Sequence, residues 1–404
     1  MDRTSFLKSG HTPTLFAAFL YFDLAFMVWV ILGPLGVQIA QDLGLSHAQR
    51  GLMVATPVLA GAALRLVMGV LVDHLKPKKA GIIGQIIVLL ALAVAWQHGI
   101  HSFEQTLVLG LFLGFAGAAF AVALPLASRW YPAEHQGTAL GIAGAGNSGT
   151  ALAALFAPAL AAAFGWNNVF GLALIPLALA FIVYLILAKD APECPAPKSL
   201  AEYFKVLKDK DAWWFMFFYS VTFGGFVGLA SSLTIYFNTQ YGLDAKTAGF
   251  FTAACVFAGS LVRPIGGAVA DRIGGIKSLT GMYLLAATFL AIVSIGLPNA
   301  WAALAVFVLA MLALGMGNGA VFQLVPQRFR NEIGVMTGLV GTAGGVGGFY
   351  LASSLGYSKQ LTGSYQAGLL IFAALAIAAL LGLTSVKTRW RTTWGAATLT
   401  AARI

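Results

Sequence analysis

The segment Gly61-Ala-Ala-Leu-Arg65-Leu-Val-Met-Gly69-Val-Leu-Val-Asp73 recurs in diverged form as Gly259-Ser-Leu-Val-Arg263-Pro-Ile-Gly-Gly267-Ala-Val-Ala-Asp271. Gly, Arg, Gly and Asp recur at a constant offset of 198 residues, close to half of the 404-residue chain. An internal repeat of this length predicts two halves of similar build. Each half carries one arginine in an apolar stretch, which predicts a site for an anion between the halves.

The composition is that of a membrane protein. Hydrophobic residues make up 59% of the chain and charged residues only 9%, whereas soluble domains are about 25% charged. Apolar stretches of about 20 residues, the length that crosses a bilayer as a helix, recur along nearly the whole chain. We therefore predict an all-α integral membrane protein with 12 transmembrane helices. The predicted spans begin near residues 14, 48, 80, 105, 137, 166, 212, 246, 278, 300, 334 and 366.

A proline-rich, charged run separates the two predicted sets of six spans. We expect an N-terminal half over 1–188, a cytoplasmic linker over 189–211, a C-terminal half over 212–387 and a cytoplasmic tail over 388–404. The halves would be related by a pseudo-two-fold axis along the membrane normal. The polar start of the chain and the long apolar run after it predict no cleaved signal peptide.

Basic residues divide unequally between the two sides of the predicted topology. With the amino terminus inside, 19 Lys and Arg residues fall on the inner side and only Arg50, Lys246 and Lys359 on the outer side. This bias predicts a multi-pass protein of the cytoplasmic (inner) membrane with both termini cytoplasmic. It also accounts for the net charge of +10 without a nucleic-acid partner, and we expect a monomer in the lipid bilayer.

Two arginines in the membrane need compensation. A lone Arg at the bilayer centre costs at least about 2.5–3.5 kcal/mol, and Asp23 in the first span is the only intramembrane carboxylate we identify. Structural pairing of Arg65 and Arg263 with helix-end carbonyls is one alternative. The other is an anionic substrate, and the planar fork of a guanidinium suits a small planar oxyanion such as nitrate, nitrite, formate or a carboxylate.

Other residues could complete an anion site. Tyr219 and Phe223 are four residues apart and share one face of the seventh span, and Phe120 lies in the middle of the fourth. Aromatic faces can clamp a planar anion, and the amide of Asn147 in the fifth span can donate a hydrogen bond to it. For Phe120 alone, ordinary packing is the simpler interpretation.

Glycines are dense in the fifth and eleventh predicted spans. Gly137-Thr-Ala-Leu-Gly141-Ile-Ala-Gly144 aligns with Gly334-Val-Met-Thr-Gly338-Leu-Val-Gly341 at nearly the offset of the arginines. Each helix-interior Gly costs about 0.5–1 kcal/mol relative to Ala, so close helix approach is the expected gain. The candidate packing glycines are Gly141, Gly144, Gly338, Gly341, Gly344 and Gly345.

Cofactor and enzyme chemistry find no support in the sequence. Cys194 and Cys255 fall in a predicted loop and a predicted span, too far apart in topology to pair or to hold a metal. The six histidines lie near span ends or in loops, and neither HExxH nor GxSxG occurs. We expect no enzyme activity, no cofactor and no metal.

The segments that follow both arginines resemble a family motif. Gly69-Val-Leu-Val-Asp73 and Gly267-Ala-Val-Ala-Asp271-Arg272 each end a span in a charged turn. They resemble the loop between the second and third helices of the major facilitator superfamily, and the second copy fits better than the first. The resemblance implies that Gly69, Asp73, Gly267, Asp271 and Arg272 form gating motifs.

Over nearly the whole chain the sequence resembles the nitrate/nitrite porter family of that superfamily. The matching segments are Leu64-Arg65, Gly114 to Phe120, Gly141 to Gly149, Tyr219-xxx-Phe223, Arg263-Pro-Ile-Gly-Gly and the glycines of the eleventh span. The resemblance implies that Arg65 and Arg263 clasp nitrate or nitrite. It further implies that Phe120 and Phe223 sandwich the anion, and that Asn147 and Tyr219 hydrogen-bond it.

The mode of transport is less determined by the residues. Neither nitrate nor Arg carries a coupling proton near neutral pH, which allows obligatory nitrate/nitrite exchange. Asp23 could instead balance the arginines in the empty site and take up a proton, and on that ground we favour proton-coupled nitrate uptake. A carrier of formate or another monocarboxylate remains an alternative substrate class.

Overall fold

The computed structural model describes residues 3–192, 200–329 and 332–394. Within them, twelve helices are long and apolar enough to cross a membrane. Their bounds are Thr12–Trp29, His47–Leu75, Pro77–His98, Phe103–Ser128, Ala139–Phe164, Trp166–Leu187, Lys210–Tyr241, Ala245–Ile273, Gly275–Ser294, Ala300–Arg328, Ile333–Thr362 and Gln366–Thr392. We number these helices span 1 to span 12.

The span predictions from sequence agree closely with the structure. Each predicted start lies within a few residues of a helix start, and the fifth helix itself begins at Ala133. Two details differ from the expected boundaries. A short helix, Leu200–Val206, lies inside the predicted linker, and span 12 continues to Thr392, beyond the predicted start of the tail.

Four spans have breaks or short continuations that apolar periodicity did not predict. Span 1 is followed by a short helix, Gly36–Asp42, and span 4 changes from Phe103–Gly117 to Ala119–Ser128. Span 5 contains the 3₁₀ segment Ala145–Ser148, and span 8 is interrupted between Ala245–Leu261 and Arg263–Ile273. At the last break, Pro264 follows Arg263 and cannot donate a helical hydrogen bond.

The two halves meet tightly at one end of the bundle. We call the end where span 1 begins and span 12 ends the terminal end, and the other the distal end. At the distal end, the backbone amide of His47 donates to Gln360 Oε1 over 3.1 Å. A Cβ added to Gly249 of span 8 would lie 2.5 Å from the carbonyl oxygen of Ala154 in span 5. The distal end is therefore closed by direct helix contact.

The same helices diverge toward the terminal end. The distal part of span 5 packs against Ala245–Leu261 of span 8, but its terminal part packs on spans 1 and 4 of its own half. A Cβ added to Gly141 or Gly144 would meet nothing within 4 Å, and the same holds for Gly334 at the start of span 11. The bundle is thus closed distally and open toward the terminal end.

We predict that Gly249→Leu shifts the protein toward a state that is open at the distal end, because a side chain cannot fit between spans 5 and 8. The measurement is the distance between spin labels on cysteines introduced at Gln41 and Lys246, with both native cysteines replaced by alanine. This distance should increase. Gly281→Leu is the matched control, since an added Cβ there meets nothing within 4 Å; an equal change in both variants would contradict the prediction.

Candidate functional site

Arg65 lies at the centre of the molecule and joins its two halves. Its side chain is buried, with the residue only 1% exposed. Nε donates to the carbonyl oxygen of Gly117 over 3.1 Å, and Nη1 donates to the carbonyl oxygen of Gly341 in span 11 over 2.5 Å. At the break in span 4 the amide of Ala121 bonds to Ala118. The Gly117 carbonyl is therefore available to Arg65.

Three aromatic rings surround the Arg65 guanidinium. Its Cζ lies 5.4 Å from the ring centre of Trp29, 5.1 Å from that of Phe120 and 5.2 Å from that of Phe223. Such contacts stabilise a cation most when it is removed from water. Trp29 is fixed by a 2.7 Å hydrogen bond from its indole nitrogen to the carbonyl of Pro57. Trp29 was not predicted from the sequence, where it is one apolar residue among many.

Arg263 is held less completely than Arg65. It is only partly buried, and its Nη2 donates to the hydroxyl oxygen of Tyr219 over 3.3 Å. Its Cζ lies 5.6 Å from the ring of Phe322 in span 10. That ring also meets Tyr219 edge-on at 5.0 Å and Phe120 at 6.3 Å. Phe322 thus belongs to the cluster but was missed by sequence reasoning, because the repeat does not align it with Phe120.

Both arginines keep a donor without an acceptor. Nη2 of Arg65 and Nη1 of Arg263 are buried and have no hydrogen-bond partner among the residues that the structure describes. The ion pairs among the described residues all lie at the terminal end and include neither arginine. The predicted pairing with helix-end carbonyls therefore applies in part to Arg65, through Gly117 and Gly341. This pairing leaves two cationic donors, Arg65 Nη2 and Arg263 Nη1, at the interface of the halves.

Tyr219 and Phe223 form a parallel ring pair beside the arginines. Their ring centres are 5.1 Å apart and their planes differ by 4°. The eleventh span makes room for them, since a Cβ on Gly344 would lie 2.8 Å from an atom of each ring. Because Tyr219 accepts a hydrogen bond from Arg263, its own hydroxyl hydrogen remains available as a donor.

Asn147 lies at the contact between span 5 and span 8, in the 3₁₀ segment of span 5. The residue is 2% exposed, and its side-chain oxygen has no hydrogen-bond partner. Its backbone carbonyl accepts from Thr150 Oγ1 over 2.8 Å and from Ser260 Oγ of the other half over 3.4 Å. The break thus fixes Asn147 at the interface through its backbone.

Asp23 contacts the same 3₁₀ segment. Ser148 Oγ donates to Asp23 Oδ1 over 2.7 Å, and it also lies 2.9 Å from the carbonyl oxygen of Ala145. The residue is 7% exposed, and its carboxylate forms no ion pair with a described Lys or Arg. A Cβ on Gly149 would lie 1.7 Å from the Asp23 carbonyl oxygen, so span 1 and span 5 are in direct backbone contact here.

The candidate packing glycines fall into two groups in this conformation. A Cβ on Gly341 would lie 3.4 Å from Arg65 Nη1, and one on Gly345 would lie 2.6 Å from Ala62 Cβ. With Gly344, these positions form the contact between span 11, the ring pair and span 2. Gly141 and Gly144 face open space, and Gly338 accepts from Thr342 Oγ1 over 2.9 Å. A packing role for Gly141 and Gly144 stays a prediction.

The predicted gating motifs lie at the terminal end. Asp73 forms an ion pair with Arg129 at 3.4 Å, joining the ends of spans 2 and 4. Asp271 and Arg272 are exposed at the end of span 8, and a Cβ on Gly267 would come no closer than 3.8 Å to Gly319. Gating by these motifs stays a prediction.

Twelve membrane-length helices in two repeated halves, with a cationic site between them, define a membrane carrier. The profile of the Major Facilitator Superfamily matches residues 15–352. The chain belongs to that superfamily and, within it, to the nitrate/nitrite porter family. The sequence-based resemblance is thereby confirmed, together with the fold class, and the chain is a multi-pass membrane protein.

Relatives align over most of the chain. A protein of Mycobacterium tuberculosis named "Probable nitrate/nitrite transporter NarK2" is 36% identical over 88% of this chain and 91% of its own length. The "Nitrite extrusion protein" of Bacillus subtilis is 33% identical over 87% and 89%. The "Probable nitrate transporter NarT" of Staphylococcus carnosus is 32% identical over 88% and 91%.

The fold has a close match among solved structures. A bacterial homologue of the human lysosomal transporter Spinster, in an inward-facing and occupied conformation, aligns with a TM-score of 0.73. The alignment covers 94% of this chain and 97% of that chain at 16% identity. This similarity concerns the fold alone.

We predict that Gly344→Ala lowers the affinity for nitrate, used as the probe anion, about tenfold. The added methyl group displaces the Tyr219–Phe223 ring pair, and such overpacking costs about 1–3 kcal/mol. Gly334→Ala in the same span is the control, because its Cβ meets nothing within 4 Å. Both changes favour the helix, so equal affinities in the two variants and the parent would refute the role of Gly344.

Proposed function

We propose that this chain is a secondary active transporter that moves nitrate, nitrite or both by alternating access. The observation that supports this most is the pair of buried, unpartnered guanidinium donors, Arg65 Nη2 and Arg263 Nη1, at the interface of the halves. A buried charge-bearing donor is costly without an acceptor. An anion bound between the two arginines would supply acceptors to both halves at once.

The chemistry around the donors favours a small planar oxyanion. Each guanidinium is planar, and the N–H bonds of its free nitrogen suit an acceptor oxygen in that plane. The Tyr219 hydroxyl oxygen accepts a hydrogen bond from Arg263, so its own hydrogen can be donated to the anion. Gly341 and Gly344 bring the backbone of span 11 against Arg65 and the ring pair, which leaves little room for a larger substrate. The names of the relatives agree with nitrate and nitrite.

We further propose that the protein lies in the cytoplasmic membrane as a monomer, with both termini in the cytoplasm. The basic residues gathered at the terminal end support this orientation. In that orientation the structure is open to the cytoplasm and closed to the outside. The predicted division into two six-span halves, a linker and a tail is kept, with span 12 extended to Thr392.

Asp23 is the residue that we propose for proton coupling. The Ser148 hydroxyl has one hydrogen, and it lies within reach of both Asp23 Oδ1 and the Ala145 carbonyl. When Asp23 is ionised, Ser148 donates to it. When Asp23 takes up a proton, the new O–H can donate to Ser148 Oγ, and the serine hydrogen can turn to Ala145. The carboxylate can therefore change protonation without losing a hydrogen-bond partner.

This arrangement would connect the proton to the anion site. Ser148 follows Asn147 in the same 3₁₀ segment, so a change at the carboxylate acts one residue from a proposed anion ligand. Moving one anion inward against about 100 mV costs roughly 2.3 kcal/mol. One proton entering with each nitrate makes the step electroneutral. Nitrate/nitrite exchange is the second candidate, and it is favoured by the absence of an ion pair between Asp23 and any described Arg.

The transported anion is tested directly by counterflow of labelled nitrate in proteoliposomes. Internal nitrite or nitrate should drive accumulation of the label, whereas internal formate or oxalate should not. Accumulation of labelled nitrate with internal formate and not with internal nitrite would replace nitrite by a carboxylate as the second substrate. No accumulation with any of the four internal anions would reject nitrate as a substrate.

We predict that Arg65→Lys and Arg263→Lys each lower the apparent nitrate affinity about 10- to 100-fold. A lysine keeps the charge but loses the fork of donors, and a charged hydrogen bond contributes about 1.5–3 kcal/mol. The measurement is the concentration dependence of nitrate counterflow. Arg50→Lys, in the same span as Arg65 but at the distal end, should behave as the parent protein. Unchanged affinity in both site variants would exclude the assigned site.

We predict that Asp23→Asn abolishes nitrate uptake driven by a pH gradient while nitrate/nitrite exchange continues. The amide cannot take up the coupling proton, yet its oxygen still accepts from Ser148. Uptake with an acidic outer buffer is compared with exchange at equal pH in the same vesicles. Asp42→Asn, an exposed carboxylate at the distal end, is the control. Gradient-driven uptake that persists in Asp23→Asn would rule out Asp23 as the carrier of the proton, and no gradient-driven uptake in the parent protein would leave exchange.

A further inference from the structure

A second charged cavity lies at the terminal end, away from the arginine site. It is open, has a volume of about 520 Å³, and lies where span 7 begins and spans 10 and 12 end. Its charged lining residues are Lys208, Asp209, Lys210, Asp211, Arg328 and Arg389. We call it the terminal pocket. None of these residues takes part in the proposed transport step.

The two acids of the terminal pocket are already used within the protein. Asp211, 4% exposed, accepts from Arg328 Nε over 2.9 Å and from Trp390 Nε1 over 2.7 Å. It also accepts from Arg389 Nη2. Asp209 accepts from Arg328 Nη2 over 2.5 Å. These bonds fix the ends of spans 7, 10 and 12 together and neutralise both carboxylates.

A positive excess remains after these pairs are formed. Four basic and two acidic residues line the pocket. Lys208 and Lys210 are exposed, and neither takes part in the ion pairs of the described residues. Trp394, a further lining residue, has a buried indole N–H without an acceptor. Within the described part of the chain, the pocket thus offers two ammonium groups outside any ion pair and one N–H donor without an acceptor.

The internal repeat shows that the corresponding helix ends of the first half are held together without an ion pair between described residues. The positions 198 residues before Asp209 and Arg328 are His11 and Trp130. Those two residues also contact each other, with ring centres 4.9 Å apart. An aromatic pair thus joins the corresponding helix ends in the first half. The ion pairs of the second half are therefore not needed merely to hold these helix ends together.

The two lysines have no charged counterpart at the repeat offset. The positions 198 residues before Lys208 and Lys210 are Gly10 and Thr12, which carry no charge. Duplication of a common half therefore does not account for Lys208 and Lys210. A ligand that meets only the second half at this end can account for them.

The surroundings of the pocket match the border between lipid and water. Trp213, at the start of span 7, is 56% exposed, and Phe204, in the short helix of the linker, is 65% exposed. Exposed Trp side chains such as that of Trp213 are typical of membrane interfaces, and basic pockets beside membrane helices bind anionic headgroups. We infer that the terminal pocket binds the phosphate headgroup of an anionic phospholipid, with Lys208, Lys210 and the Trp394 indole as its donors.

The inference is independent of the anion that the central site carries. Phosphate chemistry is shared by a lipid headgroup and by free phosphate. The exposed Trp213 and Phe204 side chains offer apolar surface to acyl chains, which favours the lipid. A binding measurement that involves no transport separates this pocket from the central site.

The test measures Tm of the detergent-purified full chain during titration with phosphatidylglycerol, phosphatidylcholine or inorganic phosphate. A ligand that binds only the folded state raises Tm in a saturable way. Phosphatidylglycerol should raise Tm by a few degrees in the parent protein, and phosphatidylcholine should not. The variant Lys208→Gln/Lys210→Gln should lose this rise, while its Tm without lipid stays close to that of the parent because both side chains are exposed.

The matched control is Lys79→Gln/Lys277→Gln, which removes the same charge from exposed positions of the same end outside the pocket. This variant should keep the rise with phosphatidylglycerol. An equal loss in both double variants would reduce the effect to general surface charge and overturn the inference. An equal rise with inorganic phosphate would assign the pocket to a soluble anion and overturn the lipid headgroup. No rise with any additive would also overturn it.

Discussion

The structure depends on the burial of one permanent charge, that of Arg65, between two halves that must move. Its guanidinium is held by a carbonyl of its own half, at Gly117, and by one of the other half, at Gly341. Both carbonyls come from glycines, which allow the backbone to approach so closely. Three aromatic rings exclude water from the remaining surface. The break in span 4 and the glycine at position 341 supply the two carbonyls that this burial requires.

The two halves repeat the arginine but not its support. Arg65 lies in an unbroken span and bonds to two carbonyls, whereas Arg263 begins a new helix after a break and bonds to Tyr219. Pro264 accounts for the break, because it removes a helical donor that Leu66 retains at the equivalent position. A symmetric sequence signal has thus produced one arginine that joins the halves and one that belongs mainly to its own half.

Much of the fold follows from sequence because membrane spans have a strong signal. Apolar length and the linker located all twelve spans, and the repeat offset brought Arg65 and Arg263 to one site. The break in span 4 was not foreseen, since Ala118 is an ordinary helix residue and nothing in its local composition marks it. Pro264 does mark the break in span 8, but a prediction from apolar length takes no account of it. Trp29 and Phe322 were missed because their importance lies in contacts with charges on other spans. Those contacts arise only from tertiary packing.

Spans 7 and 11 are in such close contact that they move together. Their movement therefore takes contacts away from Arg65, and a bound substrate can replace those contacts. A Cβ on Gly347 would lie 2.0 Å from the Ser220 carbonyl oxygen, and one on Gly224 would lie 2.7 Å from Gly347. Backbones so close move as one body. When that body moves away from span 2, Arg65 loses the Gly341 carbonyl and the Phe223 ring together. A bound anion would replace both, and without it the charge of Arg65 opposes the return of the empty carrier.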